Sequence, residues 1–331
     1  MNTGESTGSK EMKLSIVIPL FNEEAVIGTT HATVLEALAG IRGKGLIDDY
    51  EIVFVDDGSR DRSLEILRKL AAESPKVKVI SFSRNFGHQR ALAAGILHSS
   101  GDAVVSLDAD LQDPPELIGE MLEKYRQGND VVYAVRRTRE KDTMFKRLTA
   151  QFFYRLMQIM GVDLIYDHAD YRLISKKVVA AFRKIGETNI FLRGIFPYLG
   201  FDHEIIYYER QERFAGATKY PLRKMLAFAW EGITSFSNVP LRLASLVGLT
   251  IFVTSLCLVA WAFYEKFAGR TIPGWTSTVI PLFFIGGLNI LFLGLIGEYV
   301  GKIYLEVKRR PLFFVKEMLN IGDTFHRDRD G

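Results

Sequence analysis

Between Leu14 and Ala134 the chain repeats one pattern: a short unbroken apolar run, a polar turn, then a longer stretch with apolar positions three and four apart. Unbroken runs bounded by turn residues read as buried strands, and the 3.6-residue period reads as helix. Leu14–Pro19 is thus the first predicted strand, followed by a helix over roughly 24–40. Glu51–Asp56 is the second, and Asp61 caps a helix whose Leu64, Leu67, Leu70 and Ala71 share one face. Val77–Phe82 is the third, with a small-residue helix from Gln89 to Leu97 behind it. Val104–Leu107 forms the fourth, a helix covers roughly 115–127, and Asp130–Ala134 is the fifth. Strands and helices alternating through short connections predict an α/β fold, Rossmann-like, with an open and mostly parallel sheet.

From roughly 143 to 236 the pattern becomes helical, with one short strand candidate closing at Tyr207 and Tyr208. Pro221–Ser237 sets Leu222, Met225, Leu226, Phe228, Trp230 and Ile233 behind a basic start, which suits a helix in a membrane interface. A soluble amphipathic helix has the same pattern, so the choice rests on the residues beyond Ser237. Leu243–Tyr264 and Val279–Gly297, about 22 and 19 residues, contain no charge, and each is long enough to cross roughly 30 Å of hydrocarbon. Lys219, Arg223, Lys224 and Arg242 precede the first span and Lys302, Lys308, Arg309, Arg310 and Lys316 follow the second, against Lys266 and Arg270 between them. The positive-inside rule then makes this a multi-pass membrane protein with both flanking regions in the cytoplasm and the connecting loop facing outward. The expected layout is a disordered 1–11, an α/β domain over 12–217, a juxtamembrane amphipathic helix over 218–240, two transmembrane helices within 241–300, and a cytoplasmic basic tail over 301–331. Gly286, Gly287, Gly294 and Gly297 permit close helix approach, so a homo-oligomer is expected.

Composition narrows the chemistry. A net charge of +3 with dispersed Lys and Arg does not argue for a nucleic-acid partner. Cys257 is the one cysteine, which leaves no disulfide framework and no thiolate metal site, and the six histidines show no ligand-like pairing. Met1–Met12 is polar, without the apolar core of a cleavable leader.

In open α/β sheets the ligand sits beyond the carboxyl ends of the strands. Here those ends carry Phe21-Asn22-Glu23, Asp56-Asp57, Arg84-Asn85, Asp108-Ala109-Asp110 and Arg136-Arg137. Asp108 and Asp110, one residue apart where a strand ends, bring two hard oxygen ligands to one place, a pattern for Mg²⁺ or Mn²⁺ rather than zinc. No Gly-x-Gly-x-x-Gly follows the first strand and no P-loop occurs, so neither usual nucleotide fingerprint is present. A phosphate-and-metal site joined to membrane spans implies a soluble phosphate-bearing donor and an acceptor that lives in the lipid bilayer. A phosphate acceptor is already an anionic nucleophile and needs cations more than a strong base; Arg136, Arg137 and Arg172 are the candidates.

Pro19-Leu20-Phe21-Asn22-Glu23, Val55-Asp56-Asp57-Gly58-Ser59, Arg84-Asn85-Phe86-Gly87, Asp108–Pro115 and Arg213-x-x-Gly216-x-Thr218-Lys219-Tyr220 together resemble the successive motifs of family-2, GT-A-type polyprenyl-phosphate glycosyltransferases. That group includes dolichyl-phosphate mannose synthases and bacterial undecaprenyl-phosphate glucosyl and aminoarabinosyl transferases, and the two C-terminal spans resemble the O-antigen glucosylation branch. The resemblance implies a metal-dependent, inverting transfer of a hexose, with glucose expected, from a UDP-sugar to undecaprenyl phosphate on the cytoplasmic face. It implies that Pro19, Phe21, Glu23 and Asp57 cradle the nucleotide, with Asp56 sharing that work and Arg84 and Asn85 in the donor site. Asp108, Asp110 and Gln112 would hold Mg²⁺ or Mn²⁺. Arg213 and Lys219 would close over the diphosphate, and Arg136, Arg137 and Arg172 would receive the lipid phosphate. For Asp167 and Asp170, orientation of acceptor or sugar and a structural cap both stand. A mannosyl or aminoarabinosyl transferase, a processive polysaccharide synthase and a non-catalytic membrane assembly subunit are the alternatives; the Gln-x-x-Arg-Trp motif of the synthases is missing.

Overall fold

A computed structural model describes residues 11–137, 168–188, 190–209, 234, 237, 239–268 and 274–322. Strands β1 (Lys13–Leu20), β2 (Asp49–Asp56), β3 (Val77–Phe82), β4 (Ala103–Ser106) and β5 (Val131–Arg136) alternate with helices α1 (Ile27–Gly43), α2 (Ser63–Glu73), α3 (His88–His98) and α4 (Leu117–Arg126). These are the elements that the apolar runs predict, with ends shifted by a few residues. Further along come β6 (His168–Ser175), α5 (Lys176–Phe182), α6 (Leu192–Tyr198), β7 (His203–Tyr208), α7 (Val239–Phe267), α8 (Trp275–Lys308) and β8 (Val315–Leu319).

The eight strands form one sheet in the order β7-β5-β6-β4-β1-β2-β3-β8. Its centre is parallel, with β1 between β2 and β4 and β3 outside β2. Ile16, Ile18, Ile52 and Phe54 are fully buried under helices, which is why these strands read as continuous apolar runs without alternation. Helix α3 lies so close to the sheet that a Cβ on Gly95 would collide with Val17 Cγ1. That approach seats the helix directly on β1 and β2.

Two strands depart from the sequence reading. Residues 168–175, inside a region expected to be helical, form β6, which runs antiparallel between β4 and β5. Its charged Asp170 and Arg172 alternate with Tyr171 and Leu173, yet all four are buried, because the two charges pair with each other. A period of two is invisible when the polar positions are as buried as the apolar ones. The second departure is β8, within the stretch read as a basic tail, which pairs antiparallel with β3. Its half-exposed, charged sequence is how an edge strand avoids further pairing, and it hides the strand from an apolar reading.

The chain divides into two units, one of residues 1–147, 164–219 and 311–331, the other of 148–163 and 220–310. The first holds the sheet. The second contains Val239–Leu258 and Phe284–Lys308, helical segments of 20 and 25 residues long and apolar enough to cross a membrane, with none of their apolar windows buried. Leu246, Phe252, Ile290 and Leu293 are each more than half exposed, a surface that suits lipid rather than water. The amphipathic segment expected at 218–240 lies largely outside the described residues.

Candidate active site

The first three strand ends are tied into one wall by hydrogen bonds between their loops. After β1, Asn22 adopts a left-handed backbone (φ 55°), its N–H donates to Ser59 Oγ (2.9 Å), and its Oδ1 accepts from the Arg60 N–H (2.8 Å). The Glu23 N–H donates to Ser63 Oγ (3.0 Å), so the β1–α1 loop is fastened to the start of α2. Asp56 turns inward: it accepts from the Ser59 N–H (3.0 Å) and Ser81 Oγ (2.8 Å) and holds the turn together. Asp57 accepts from the backbone N–H groups of Phe86 (2.6 Å) and Gly87 (2.9 Å), which fastens the β3–α3 loop to the same wall. Between them Gly58 (φ +71°) lies against the Arg84 backbone, where a Cβ would collide with the Arg84 carbonyl carbon.

The fourth strand end completes the cleft. The Leu107 N–H donates to the Val17 carbonyl (3.0 Å) and Thr30 Oγ1 to the Ala109 carbonyl (2.7 Å), so β1 and α1 both hold the Asp108–Asp110 turn. Leu111 has φ 53°, and Asp110 Oδ1 accepts from the Gln112 N–H (3.2 Å). These loops enclose a cavity of about 330 Å³, lined by Pro19, Phe21 and Glu23 after β1, Asp57 after β2, Asn85, Gly87 and His88 around the start of α3, and Asp108 and Asp110 after β4. Most of the sequence-predicted donor residues therefore meet in one place. Arg84 is exposed, with its guanidinium 4.1 Å from the Phe86 ring centroid and donating to the Asn85 carbonyl (3.0 Å).

Charge in the cleft is organised around Asp108 and Asp170. Burial, reinforced by Asp170, Asp113 and Asp110 and opposed by His88, pushes the Asp108 carboxyl up to about 6. His88 Nε2 stands 3.6 Å from both Asp108 Oδ1 and Asp170 Oδ2. Burial lowers its pKa, but the hydrogen bond to Asp170 and the charges of both carboxylates outweigh that and raise it. Asp170 is buried, which disfavours its charge, yet Arg193, His88 and Arg172 hold it well below the ordinary carboxylate range. Arg172, 1% exposed, donates to Asp170 Oδ1 (2.6 Å) and the Leu192 carbonyl (3.2 Å), with its guanidinium over the Phe196 ring. Arg193, with a third of its side chain exposed, spans both Asp170 oxygens at 3.3 and 3.2 Å.

Of the other cations named from sequence, Arg136 is tied to Asp113 (3.4 Å) and to Tyr208 (3.1 Å), whose hydroxyl also donates to Asp113. Burial works against the charge of Arg136, but Asp113 and Tyr208 raise its pKa. Arg137 is exposed, with its backbone N–H on the Tyr208 carbonyl (2.8 Å). Arg213, Lys219 and Asp167 lie outside the described residues.

The donor set suits a hard divalent cation in one particular way. Among the described residues no three His, Cys, Asp or Glu side chains form a preformed cage. What the turn offers is two carboxylates, Asp108 and Asp110, followed by Gln112, whose buried Oε1 has no hydrogen-bond partner. A buried amide oxygen without a partner is costly, and a cation offsets that cost. Two or three oxygen ligands with the rest left to substrate phosphates is the usual protein share for Mg²⁺.

Residues 15–182 match the family described as Glycosyl transferase family 2, and residues 239–303 match the GtrB C-terminal hairpin. The chain is 45% identical to the uncharacterized glycosyltransferase YkcC of Bacillus subtilis (strain 168), over 97% of its own length and 99% of that protein. It belongs to glycosyl transferase family 2. It is also 40% identical to the SfII prophage-derived bactoprenol glucosyl transferase of Shigella flexneri, over 92% of this chain and 98% of that one. Likeness to the prophage bactoprenol glucosyl transferase homolog of Escherichia coli (strain K12) is 38%, over 93% and 99%. Membership agrees with the GT-A architecture expected from the motifs.

In this family-2 transferase, sequence reasoning passed over His88, Gln89, Asp113, Arg193 and Tyr208. His88 comes directly after the Arg84–Gly87 motif, which was the available signal. Gln89 joins the same network, donating to Asp170 Oδ2 (3.2 Å) and accepting from the Leu192 N–H (3.1 Å). Arg193 stands 23 residues from Asp170 in the chain, and no local pattern marks the pair.

Proposed function

We propose that this enzyme transfers glucose from UDP-glucose to the phosphate of undecaprenyl phosphate on the cytoplasmic face of the bacterial inner membrane. The product would supply lipid-linked glucose for cell-surface glycan modification. The observation that carries this reading is the cavity in which Asp57, Asp108 and Asp110 meet, in a chain that also bears a hairpin-type pair of membrane-length helices. Two relatives named as bactoprenol glucosyl transferases, matched over nearly their whole length, support the choice of sugar and acceptor.

In this reading Pro19, Phe21, Glu23, Asp57 and Asn85 hold the uridine nucleotide. Asp108, Asp110 and Gln112 hold Mg²⁺ or Mn²⁺, which when bound neutralises charge on the departing diphosphate. A non-bridging oxygen of the acceptor phosphate attacks the anomeric carbon, and the bond from that carbon to the UDP oxygen breaks with its electron pair leaving on UDP. The anionic oxygen carries no proton that must be removed, so no side chain acts as a strong base. Arg137 and Arg193, whose guanidinium groups keep solvent-facing surface, draw in the acceptor phosphate. Arg172 and Arg136 instead hold Asp170 and Asp113 in place. Arg213 and Lys219 close over the diphosphate.

The test is transfer by the purified full-length protein from UDP-glucose, UDP-galactose, UDP-N-acetylglucosamine or GDP-mannose to a short polyprenyl phosphate with Mg²⁺. UDP-glucose is the expected donor, and Asp108→Ala and Asp110→Ala are expected to abolish transfer in protein that still folds. Undiminished transfer in excess chelator would overturn the metal assignment.

A further inference from the structure

The strand β8 does more than cover the edge of β3. We propose that Phe313 and Phe314, just ahead of it, are positioning residues for the donor pocket, acting through Phe82, Phe86 and Asp57. The proposal rests on reading the cavity as the uridine-nucleotide site.

The contacts form an unbroken line. The Phe313 ring stacks on Phe82 with centroids 4.8 Å apart and planes 14° apart. Phe82 meets Phe86 edge to face at 5.7 Å, and Phe314 meets Phe86 from another direction at 6.1 Å. The Ser83 N–H donates to the Phe314 carbonyl (2.9 Å), so backbone as well as rings ties the segment to the start of the β3–α3 loop. Phe86 itself is 9% exposed, and its backbone N–H and that of Gly87 are the groups that Asp57 accepts from. Asp57, Asn85 and Gly87 all line the cavity. The side of the loop away from the cavity is therefore packed on aromatic rings from a segment more than two hundred residues later in the chain.

The far end of the segment is pinned separately. Arg68 pairs with Glu317 at 2.5 Å, and Asn320 Nδ2 donates to the carbonyls of Ala71 (2.7 Å) and Val77 (2.9 Å). Those anchors hold β8 on the sheet without touching the pocket loop. A strand that served only to cover an edge needs the anchors and the ladder. It does not need Phe314 set against Phe86, whose N–H Asp57 holds, with Phe313 stacked on Phe82 where β3 ends and tilted against His98 at 6.4 Å.

The experiment compares full-length wild type with Phe313→Ala/Phe314→Ala, Phe313→Leu/Phe314→Leu and Glu317→Gln, reading the Kd for UDP by calorimetry and steady-state kinetics for UDP-glucose and polyprenyl phosphate. The Ala pair is expected to raise the UDP Kd and the UDP-glucose KM about tenfold, equivalent to about 1.4 kcal/mol. Its kcat at saturating donor and its acceptor KM should stay within about twofold of wild type, because the metal-side carboxylates are untouched. The Leu pair, which keeps bulk but loses the rings, should fall between, and it carries the test if the Ala pair does not fold. Glu317→Gln loosens the same strand and should leave the UDP Kd unchanged. Wild-type UDP affinity in both Phe variants, or equal weakening by Glu317→Gln, would overturn the positioning role. A wild-type protein that binds neither UDP nor UDP-glucose would instead overturn the donor-site reading beneath it.

Discussion

Glu51, on β2 at the opposite end of the sheet from the cleft, offers a measurable test of how this fold is held. Its carboxylate is 1% exposed and surrounded: Oε1 accepts from Ser15 Oγ (2.7 Å) and the Ser100 N–H (2.7 Å), and Oε2 faces Lys78 (2.7 Å) and Lys13 (2.9 Å). Burial alone would raise its pKa, but hydrogen bonds from Lys78, Ser100 and Lys13 outweigh burial and hold it at about 2. Against an ordinary value of 4.5, that depression is equivalent to about 3 kcal/mol of folding free energy at neutral pH. A depressed carboxylate stabilises above its unfolded pKa, so the contribution is complete above pH 4.5 and is lost as pH falls toward 2. By pH 3 only about 1 kcal/mol remains. Glu51→Gln removes the negative charge and leaves two lysines facing each other. For a domain of this size, about 3 kcal/mol lowers the unfolding midpoint by about 6–12 °C. The assay is thermal unfolding of the full-length protein in detergent, wild type against Glu51→Gln, at pH 7 and pH 3. Six residues of strand separate Glu51 from Asp57, about 20 Å, so transfer measured well below the midpoint should be unchanged. A midpoint difference as large at pH 3 as at pH 7, or none at pH 7, would refute the linkage argument.

Three further outcomes are expected. Asp108 is raised to about 6, so its ionisation weakens the metal-free fold progressively between the ordinary carboxylate pKa and that value; Asp108→Asn should raise the unfolding midpoint at pH 7.5, have no effect below pH 3.5 or so, and abolish transfer. Asp170→Ala strands the fully buried Arg172 charge and should cost about 3–5 kcal/mol, while Asp170→Ala/Arg172→Met should recover a large part of it, as a double-mutant cycle in denaturant would measure. Gly58→Ala places a Cβ against the Arg84 backbone at φ +71°, and with about 1–2 kcal/mol of left-handed strain it should raise the UDP-glucose KM about tenfold or more, read by donor titration.

The parallel core of the sheet was legible because β1 to β4 are buried on both faces over most of their length, so their sequences are largely apolar runs, with Glu51 as a charged exception whose partners the fold supplies. The cleft was legible for a related reason. Polar residues placed straight after buried strands are not required by the strands themselves, so Glu23, Asp57, Asn85, Asp108 and Asp110 declared themselves by position and then met around one cavity. Asp56 carried the same local mark and Arg172 was expected to receive the acceptor phosphate, yet the fold turns Asp56 into its own loop and closes Arg172 onto Asp170. Sequence supplies residue type and spacing, but not which way a side chain faces.

What the sequence determined by itself was therefore local and periodic: the alternation of strand and helix, the two membrane-length segments, and the two carboxylates at the end of β4. Tertiary structure alone decided the partners that are distant in the chain. It set β6 between β4 and β5, brought Arg193 and His88 to Asp170, and returned β8 to β3, so that Phe313 and Phe314 pack on Phe82 and Phe86. The physical reason is that burial and charge pairing depend on what surrounds a side chain, and for these residues the surroundings come from elements 20 to more than 200 positions away.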